Sequence, residues 1–436
     1  MARVMRRLEY VAVTFAVLLG GMCGAVSCSK SPETVPEEPS PRVTITFASL
    51  ETGTGTAQRF AEQFMERYPE IRVETKILPP ISDFVHDAFV NELVNGETQT
   101  DLYALDTIWI AEFAAAGWLK PLDGYFDKDS LDQIMAKPLE NAHYGGRLYA
   151  LPWYTDSGVL FYRKDLLDDL GAHPPLTWPE LVEQARWLQR SGKVRHGYLF
   201  QGDKYEGLTL NFLELFWANG GELAEEDGFR LNVPEAVETL RFMQQLLEEN
   251  LAPREVLQYK ETQSRERFLD GESAFLRSGP IVWGLSASSA VKGKIGIAPL
   301  PVGPSGSQSA TSIGGSSVGL NARTSGEREA AAIHAIQFMK FLISDEAQRQ
   351  VALEHSRLPV ARHAYEDPEV LTFNPYYGDI GRMIEQAARF RPIAVNYSEI
   401  SNVLQTGLHD ALSRGIDPEA ALAAMERLIR ALPAPQ

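Results

Sequence analysis

The sequence predicts an α/β protein built from two lobes or domains, and three observations support this prediction. Short β-branched runs alternate with amphipathic segments early in the chain, as they do in βαβ units. Further amphipathic helices follow, two of which have a polar residue just ahead of a proline. About 395 of the 436 residues belong to the folded body, which is more than one hydrophobic core usually holds.

The first strand and helix signals lie at the start of the folded body. The helical signal places Phe60, Phe64 and Met65 on one face and stops at Tyr68-Pro69. In chain order the segments are RVTITFASL (42–50, strand), TAQRFAEQFMERYPE (56–70, helix), IRVETKIL (71–78, strand), a helix near 84–93 and DLYAL (101–105, strand).

Two later segments are predicted as long amphipathic helices. TWPELVEQARWLQRSG begins at Thr177, and NVPEAVETLRFMQQLLEEN begins at Asn232. Thr and Asn favour the N-cap, and a proline is well tolerated in the first turn of a helix. We therefore expect Thr177 and Asn232 to cap these helices.

The N-terminus is typical of a secretory signal peptide, predicted here over residues 1–27. Arg3, Arg6 and Arg7 precede the apolar run 10–19, which is too short to span a bilayer comfortably. Both cysteines of the chain, at positions 23 and 28, follow this run. AVSC, ending at Cys28, resembles the bacterial lipoprotein box and predicts lipidation of Cys28. The alternative is an ordinary signal peptide in which both cysteines are incidental.

Composition excludes several classes of function. The body beyond Cys28 has no thiol for a disulfide, a metal cluster or nucleophilic catalysis. Residues 28–41, rich in Pro, Ser and Glu, predict a lipidated N-terminus and a disordered tether. The formal net charge of −17 argues against nucleic acid as a partner. Gly53 and Gly55 form only part of a dinucleotide fingerprint, because Gln58 stands where the third glycine would be, so we expect no cofactor and no metal.

Two carboxylates directly follow predicted strands. Glu51 comes after the first strand and Asp106 after DLYAL. Ligands of open α/β sheets bind beyond the carboxyl ends of the strands, and an ionised carboxylate can accept two hydroxyl hydrogens. The alternative is that both residues cap helices, since Asp106 precedes TIWIAEFAAAG. Periodicity alone leaves both interpretations open.

Aromatic and polar side chains adjoin each other in LPWYTDSGVLFYRKDLL, residues 151–167. A sugar ring offers apolar C–H faces and a rim of hydroxyls, so it suits flat aromatics beside carboxylates. Trp153 and Tyr154 next to Asp156 supply both kinds of contact, although aromatics also pack in ordinary cores. Trp283, Arg391 and the segment SIGG (312–315) add further groups that could contact a sugar.

The chain resembles the substrate-binding lipoproteins of ABC sugar importers, and among them the trehalose/maltose-binding group. The stretches that carry the resemblance are FAAAGWLKPLD, YALPWYTDSGVLFYRKDLL, YEGLTLNFLELFWANGG, FLDGESAFLRSGPIVW, IGIAPLP followed by SIGGSSVGLN, FMKFLISDEAQ and RPIAVNYSEIS. The resemblance implies a periplasmic-binding-protein-like α/β fold, with two lobes joined by a multi-crossing hinge and the ligand cleft between them. We expect residues 42–152 plus 310–345 in the N-terminal lobe and 153–309 plus 346–436 in the C-terminal lobe.

The resemblance also implies a function and a set of site residues. The function is capture of a disaccharide or related glucoside, such as trehalose or maltose, and its delivery to the transmembrane subunits of an ABC permease. We expect a monomer, held to a membrane of the cell envelope by its lipid anchor, on the periplasmic or extracellular face. The residues expected to contact sugar are Glu51, Asp106, Tyr154, Asp156, Trp283, Gly314, Gly315 and Arg391.

Two departures from the family pattern bear on the substrate. Where the family commonly reads LGGW, this chain has Ser316 after the glycine pair. Where the family commonly reads RNWP, this chain has Ser278 and Gly279 between Arg277 and Pro280. Two aromatic platforms are thus replaced by small residues, so the ligand is expected to be bulkier than trehalose or maltose or to present fewer C–H faces.

Two other classes of function compete with transport. A glycoside hydrolase would use two of Glu51, Asp106 and Asp156 as its pair of carboxylates. A surface carbohydrate-binding adhesin would show no micromolar affinity for a free sugar. The sequence contains no Ser/His/Asp arrangement or His-Glu-x-x-His motif that would favour an enzyme.

Overall fold

The computed structural model describes residues 43–50, 55–79, 81–96, 99–225, 228–324 and 326–433. The predicted signal peptide, the tether, Cys28 and Glu51 lie outside the described residues. The helices in the described segments are all too short or too polar to cross a bilayer.

Strands and helices alternate through the first half of the body, and helices dominate after residue 326. The strands are β1 (Val43–Leu50), β2 (Ile71–Leu78), β3 (Leu102–Asp106), β4 (His143–Tyr144), β5 (Arg147–Leu148), β6 (Ala150–Asp156), β7 (Val159–Arg163), β8 (His196–Leu199), β9 (Ala224–Glu225), β10 (Gly228–Phe229), β11 (Ser273–Ser278), β12 (Ile295–Ala298), β13 (Thr311–Ser312), β14 (Gly314–Leu320), β15 (Leu358–Pro359) and β16 (Ala388–Arg389). The α-helices are α1 (Thr56–Arg67), α2 (Ser82–Asn95), α3 (Ile110–Ala115), α4 (Lys128–Asp132), α5 (Ala136–Asn141), α6 (Lys164–Leu170), α7 (Trp178–Arg190), α8 (Glu206–Ala218), α9 (Pro234–Glu248), α10 (Glu261–Leu269), α11 (Val282–Ser286), α12 (Glu329–Leu342), α13 (Asp345–Leu353), α14 (Pro368–Phe373), α15 (Tyr377–Ala387), α16 (Tyr397–Arg414) and α17 (Pro418–Arg430). Short 3-10 helices cover Thr107–Trp109, Arg254–Gln258, Gly326–Arg328 and Arg362–Tyr365.

Two sheets define the two lobes. The large sheet has six strands in the order β15-β6-β14-β3-β1-β2, and the small sheet has four in the order β12-β7-β11-β8. In the large sheet, β1 is parallel to β2 and β3, whereas β14 is antiparallel to β3 and β6. In the small sheet, β11 is parallel to β8 and antiparallel to β7. The predicted α/β class with two lobes is confirmed.

The chain passes between the sheets at three places. It leaves the large sheet at Asp156 and enters the small sheet at Val159. It returns through Ile313, between β13 and β14, and passes again to the small-sheet lobe after β15. Strand β6 stays in the large sheet as far as Asp156, four residues past the predicted boundary at 152/153. Strand β15 also belongs to the large sheet, although residues 346–436 were predicted in the C-terminal lobe. The predicted boundary at 309/310 stays a prediction.

Each lobe has its own hydrophobic core. One side of the large sheet packs against α1 and α12. The ring of Phe338 meets those of Phe47 and Phe64 edge-to-face, and the ring of Phe60 meets that of Trp153 in the same way. The small sheet is covered by α7, α8 and α9, with the helices near the C-terminus completing the same core. Burial of apolar surface at roughly 25 cal/mol per Å² is the main stabilising contribution in both lobes.

The predicted helix starts agree with the structure in one case and differ in the other. Thr177 caps α7, its Oγ1 accepting a hydrogen bond from Glu180 N at 3.4 Å. Helix α9 is capped instead by Val233, without a side-chain hydrogen bond, so the prediction for Asn232 is wrong. The reason lies in the C-terminal helix: the Glu426 carboxylate accepts from Asn232 N at 2.8 Å and holds that backbone outside the helix.

Candidate functional site

A cavity, called here the main cavity, lies between the lobes at the carboxyl ends of β1, β3 and β6. It has a volume of about 290 Å³. Both lobes line it, which matches the rule that open α/β sheets bind ligands beyond the ends of their strands. Its lining residues are Leu50, Ile81, Ser82, Asp83, Asp106, Asp156, Ser157, Gly158, Tyr205, Glu206, Gly207, Leu210, Lys260, Glu261, Arg277, Gly279, Ser312, Gly314, Gly315 and Arg391.

Arg391 joins the two lobes at this cavity. Its Nη2 donates to Asp106 Oδ1 at 3.0 Å in the large-sheet lobe, and its Nη1 donates to Glu206 Oε1 at 3.0 Å in the small-sheet lobe. The Arg391 side chain is only 3% exposed. Burial disfavours the cation, but Asp106 and Glu206 outweigh it and raise the pKa of Arg391. The guanidinium therefore stays charged and can hold the lobes together.

Glu206 is the buried partner of this bridge. It begins α8, and its carboxylate also accepts hydrogen bonds from the hydroxyls of Tyr397 and Ser401 on α16. Burial raises the pKa of Glu206, while Arg391 and the two hydroxyls act in the opposite direction. The acid thus orients Arg391 toward Asp106.

Asp106 is a helix cap, one of the two roles left open by the sequence, and it also lines the cavity. It is the last residue of β3, and its Oδ1 accepts from Ile108 N at 3.3 Å, as a helix cap does. The same oxygen receives the guanidinium of Arg391. Its carboxylate remains on the wall of the cavity.

Asp156 lies at the first crossing between the lobes. Its Oδ1 accepts from Ser157 N at 2.8 Å. Burial raises the pKa of Asp156, with Arg357 and Arg277 opposing this effect. A Cβ at position 279 would lie 2.7 Å from Asp156 Oδ1, so Gly279 is what leaves this carboxylate room beside the cavity.

The glycine pair completes the same wall. Gly314 pairs with Asp156 and Gly315 with Thr155 in the ladder between β14 and β6. Gly315 has φ 108°, and a Cβ there would lie 2.3 Å from Tyr154 O. Only glycine fits this backbone, because L side chains rarely adopt such a φ and the space is already filled.

A buried ion pair supports the cavity from the small-sheet side. Arg277 donates to both carboxylate oxygens of Glu214, from Nε at 2.6 Å and from Nη2 at 2.7 Å. Glu214 also accepts from the backbone N–H and hydroxyl of Ser312, at 3.1 and 2.6 Å. Burial disfavours the cation, but Glu214 prevails and raises the pKa of Arg277. This pair fixes the chain just before Gly314.

Tyr205 is the aromatic side chain that lines the cavity among the described residues. Its ring lies over Gly207, where a Cβ would come within 2.2 Å of it, and Lys260 Nζ is 5.3 Å from the ring centroid. Burial and the neighbouring Glu261 carboxylate raise the pKa of its hydroxyl. Tyr205 can therefore offer a ligand both a ring and a polar tip.

Of the eight residues predicted to contact sugar, Asp106, Asp156, Gly314, Gly315 and Arg391 come together at the cavity. Glu51 lies outside the described residues. Tyr154 and Trp283, in contrast, do not line the cavity.

Tyr154 and Trp283 have other surroundings. Tyr154 is 6% exposed in the core of the large-sheet lobe, next to Trp153, with Arg357 Cζ 4.4 Å from its ring centroid. Trp283 is partly buried, its Nε1 donating to Phe373 O at 2.9 Å and its ring meeting Tyr376 edge-to-face. Strand β6 is buried along both faces, which is why alternation could not tell cavity from core there.

Sequence reasoning missed several residues of the site, among them Glu206, Lys260 and Glu261. Glu206 and Glu261 start helices, so each reads as an ordinary first-turn acid. The sequence did contain one signal for Glu206. This acid begins a long apolar helix, which is expected to be buried, and a buried carboxylate requires a cation as its partner. No group of three or more metal-ligating side chains occurs among the residues that the structure describes.

Comparisons with known sequences identify relatives over most of the chain. The family model of the bacterial extracellular solute-binding protein matches residues 48–349. A probable ABC transporter-binding protein of Deinococcus radiodurans is 31% identical over 400 residues, covering 88% of this chain and 92% of the relative. The maltotriose-binding protein of Pyrococcus abyssi is 25% identical over 338 residues, covering 76% of this chain and 68% of the relative.

Solved structures agree with these relatives. Maltose-bound MalE3 of T. maritima is 36% identical and superposes with a TM-score of 0.83, covering 89% of this chain and 100% of the other. A solute-binding protein of Agrobacterium radiobacter in complex with ribitol is 25% identical, with a TM-score of 0.79, covering 89% and 98%. Together with the cleft between two α/β lobes, these matches show that the chain belongs to the bacterial extracellular solute-binding protein family of ABC transporters.

Proposed function

We propose that this protein captures a carbohydrate in the main cavity and delivers it to an ABC permease. The observation that supports this most strongly is the cavity itself, which is closed by groups from both lobes and lined by carboxylates, arginines and glycine backbone. Carboxylates accept hydrogen bonds from sugar hydroxyls and guanidinium groups donate to sugar oxygens, so the lining suits a polyhydroxylated ligand.

The class of carbohydrate follows from the relatives and from the walls of the cavity. Of the four proteins named above, three are named with a ligand, which is maltose, maltotriose or ribitol, and the 36% identical one is the maltose-bound protein. We propose a disaccharide or related glucoside, of the trehalose or maltose type, as the ligand. Gly279 and the buried Ser316 supply no stacking surface, so Tyr205 is the aromatic platform available to the sugar.

The proposed contacts come from both sides of the cleft. Asp106, Asp156 and the glycine pair would accept or donate hydrogen bonds from the large-sheet side, and Arg391 from the other. Glu51, which follows β1, is proposed to join them. Tyr154 and Trp283 would reach a ligand only if the lobes or their side chains moved from the arrangement described above.

We propose a carrier and not a hydrolase. Asp106 is engaged by Arg391 and by Ile108 N, which favours a fixed carboxylate over one that exchanges protons during a reaction. Incubation with maltose, trehalose and aryl glucosides tests this directly. A carrier returns each sugar unchanged, whereas release of glucose or of the aryl group would favour the hydrolase.

The proposed location is the cell envelope. Lipidation of Cys28 after removal of residues 1–27 would anchor the protein to a membrane, with residues 28–41 as the tether to the folded body. As a monomer it would then diffuse near the transmembrane subunits of its permease, on the periplasmic or extracellular face.

A thermal-shift screen over a sugar library tests the proposed function. A ligand that binds only the folded protein raises Tm by mass action, by an amount that grows with its concentration over Kd. At a ligand concentration of about 100 Kd the stabilisation is about 2.7 kcal/mol. We expect one or more of maltose, trehalose and larger glucosides to raise Tm. No shift with any sugar or polyol, confirmed by calorimetric titration, would contradict the proposal.

A further inference from the structure

The cleft between the lobes continues beyond the main cavity into a second one, called here the side cavity. It has a volume of about 390 Å³ and is lined from the large-sheet lobe by α2 and from the small-sheet lobe by α16. Its walls include His86, Trp109 and Glu399. Asp83 and Glu206 line both cavities, so the two adjoin at these carboxylates.

The cations of the main cavity are already paired with carboxylates. Arg277 holds Glu214, Arg391 bridges Asp106 and Glu206, and Lys260 Nζ lies 3.9 Å from Asp203 Oδ2. In the side cavity, His86 is likewise paired with a carboxylate, its Nε2 lying 2.8 Å from Glu112 Oε2.

Three carboxylates of the main cavity have no such partner. Among the residues that the structure describes, Asp83, Asp156 and Glu261 form no ion pair with a Lys, Arg or His side chain. The main cavity thus presents five carboxylates against three cations, and each of those cations is already engaged. The lining side chains therefore carry a net negative charge, which Arg357 and Arg265 reduce near Asp156 and Glu261.

Asp83 is the unpaired carboxylate that lies at the junction of the main and side cavities, where its negative charge would act on a ligand. It lies in the first turn of α2, at the junction of the two cavities. Burial and the neighbouring Asp87 raise the pKa of Asp83, and His86 and Lys260 only partly offset them. A cation beside Asp83 would relieve this unfavourable charge, whereas a neutral hydroxyl would relieve it less.

One buried donor at the main cavity has no partner within the described protein. Arg391 lines the cavity, and its buried Nε has no hydrogen-bond partner among the described residues. Buried polar groups are nearly always satisfied in folded proteins, so this donor is free for a ligand or a water.

We propose that the ligand of this cleft is a carbohydrate that carries a protonated amine, with the amine at the Asp83 junction between the main and side cavities. This inference rests on the carbohydrate-binding function proposed above. An ammonium group has three donors and no acceptor, and a carboxylate is purely an acceptor, so the two groups match in the sign of their charge and in the direction of the hydrogen bond. Glu261, at the start of α10 on the opposite lobe, adds to the same negative potential.

The test compares pairs of ligands in which one member carries one or two amine groups where the other has hydroxyls. The pairs are glucosamine and glucose, N-methylglucamine and sorbitol, and fully deacetylated chitobiose and cellobiose. Calorimetric titration at pH 6.5 and low salt should show tighter binding of the amine in at least one pair, by about two- to fivefold, the scale of one partly exposed charge pair. Raising the salt concentration should reduce this preference, since exposed charges are screened.

Asp83→Asn provides the decisive variant, because it keeps the shape of the side chain and removes its charge. It should abolish most of the preference for the amine, which is the ratio of the two affinities in each pair and so does not depend on how the variant changes binding of the neutral sugar. The matched control is Asp129→Asn, which alters an exposed aspartate in the first turn of α4, away from both cavities. This control should leave the preference unchanged.

The outcomes separate this inference from the proposed function. Neutral sugars that bind as tightly as their amines, or an amine preference that survives Asp83→Asn, would overturn the inference and leave carbohydrate binding intact. Failure of every sugar and polyol to bind, whether charged or neutral, would overturn the proposed function itself.

Discussion

Arg277→Met tests how the buried pair behind the cavity contributes to stability. Arg277 and Glu214 form two charge-assisted hydrogen bonds of 2.6 and 2.7 Å, and the Glu214 side chain is only 1% exposed. Methionine would leave a buried carboxylate without its cation, which typically costs 3–5 kcal/mol. Glu214 would keep its hydrogen bonds from Ser312, so we expect a loss near the lower end, about 3 kcal/mol.

The assay is urea unfolding at pH 7, followed by tryptophan fluorescence. Adding Glu214→Gln to Arg277→Met should recover much of the loss, because the double variant no longer buries an unpaired charge. The control is Arg267→Met, which breaks an exposed pair with Glu272 at 3.2 Å and should cost less than about 1 kcal/mol. A loss below about 1 kcal/mol for Arg277→Met, or no recovery in the double variant, would refute the reasoning.

Four further predictions concern other parts of the molecule. Burial lowers the pKa of His355 to about 4 from 6.5, with Arg59 and Arg357 adding to the effect. The unfolded chain therefore takes up this proton first, and the free energy of unfolding should fall by about 2 kcal/mol between pH 7.5 and 5, a loss that His355→Gln removes. Arg391→Ala should weaken sugar binding, measured by calorimetry, and reduce lobe closure, measured by scattering. An unchanged affinity would contradict the proposed role of Arg391 in joining the lobes around the sugar. Trp283→Ala should lower stability by about 3 kcal/mol with little change in affinity, because the ring packs on Tyr376 away from the cavity; the opposite result would return Trp283 to the sugar site. Cys28→Ala should release the protein from membrane fractions with its sugar affinity intact, and retention in the membrane would contradict lipidation.

The sequence predicted much of the fold because local patterns determine it. The helical face of Phe60 and Phe64 fixed α1, and its stop at Tyr68-Pro69 agrees with the observed end at Arg67. The apolar segment DLYAL predicted β3. Because Asp106 directly follows this segment, it was expected at the carboxyl end of the strand, where it lies. Such features depend on neighbours in the chain, so periodicity and capping rules find them.

The rest of the site depends on contacts between distant segments, which no local pattern records. Glu206 meets Arg391 across 185 positions of sequence, and Arg277 meets Glu214 across 63. Tyr154 shows the converse difficulty, because a strand buried on both faces gives no alternation to separate core from cleft. The resemblance to a family predicted that Asp156, Gly314, Gly315 and Arg391 belong to one site. Their spacing in the sequence alone could not have predicted this.

The most direct test of the account is a distance measurement across the cleft. The folded body contains no cysteine, so Glu66→Cys on α1 and Glu183→Cys on α7 would place one spin label on each lobe. Pulsed electron paramagnetic resonance, with and without a sugar shown to bind by calorimetry, then reports the separation. We expect the sugar to shift the distance toward one shorter and narrower distribution, because contacts from both lobes form together only when they close. A tightly bound sugar that leaves the distribution of an open protein unchanged would contradict the account and place the site within a single lobe.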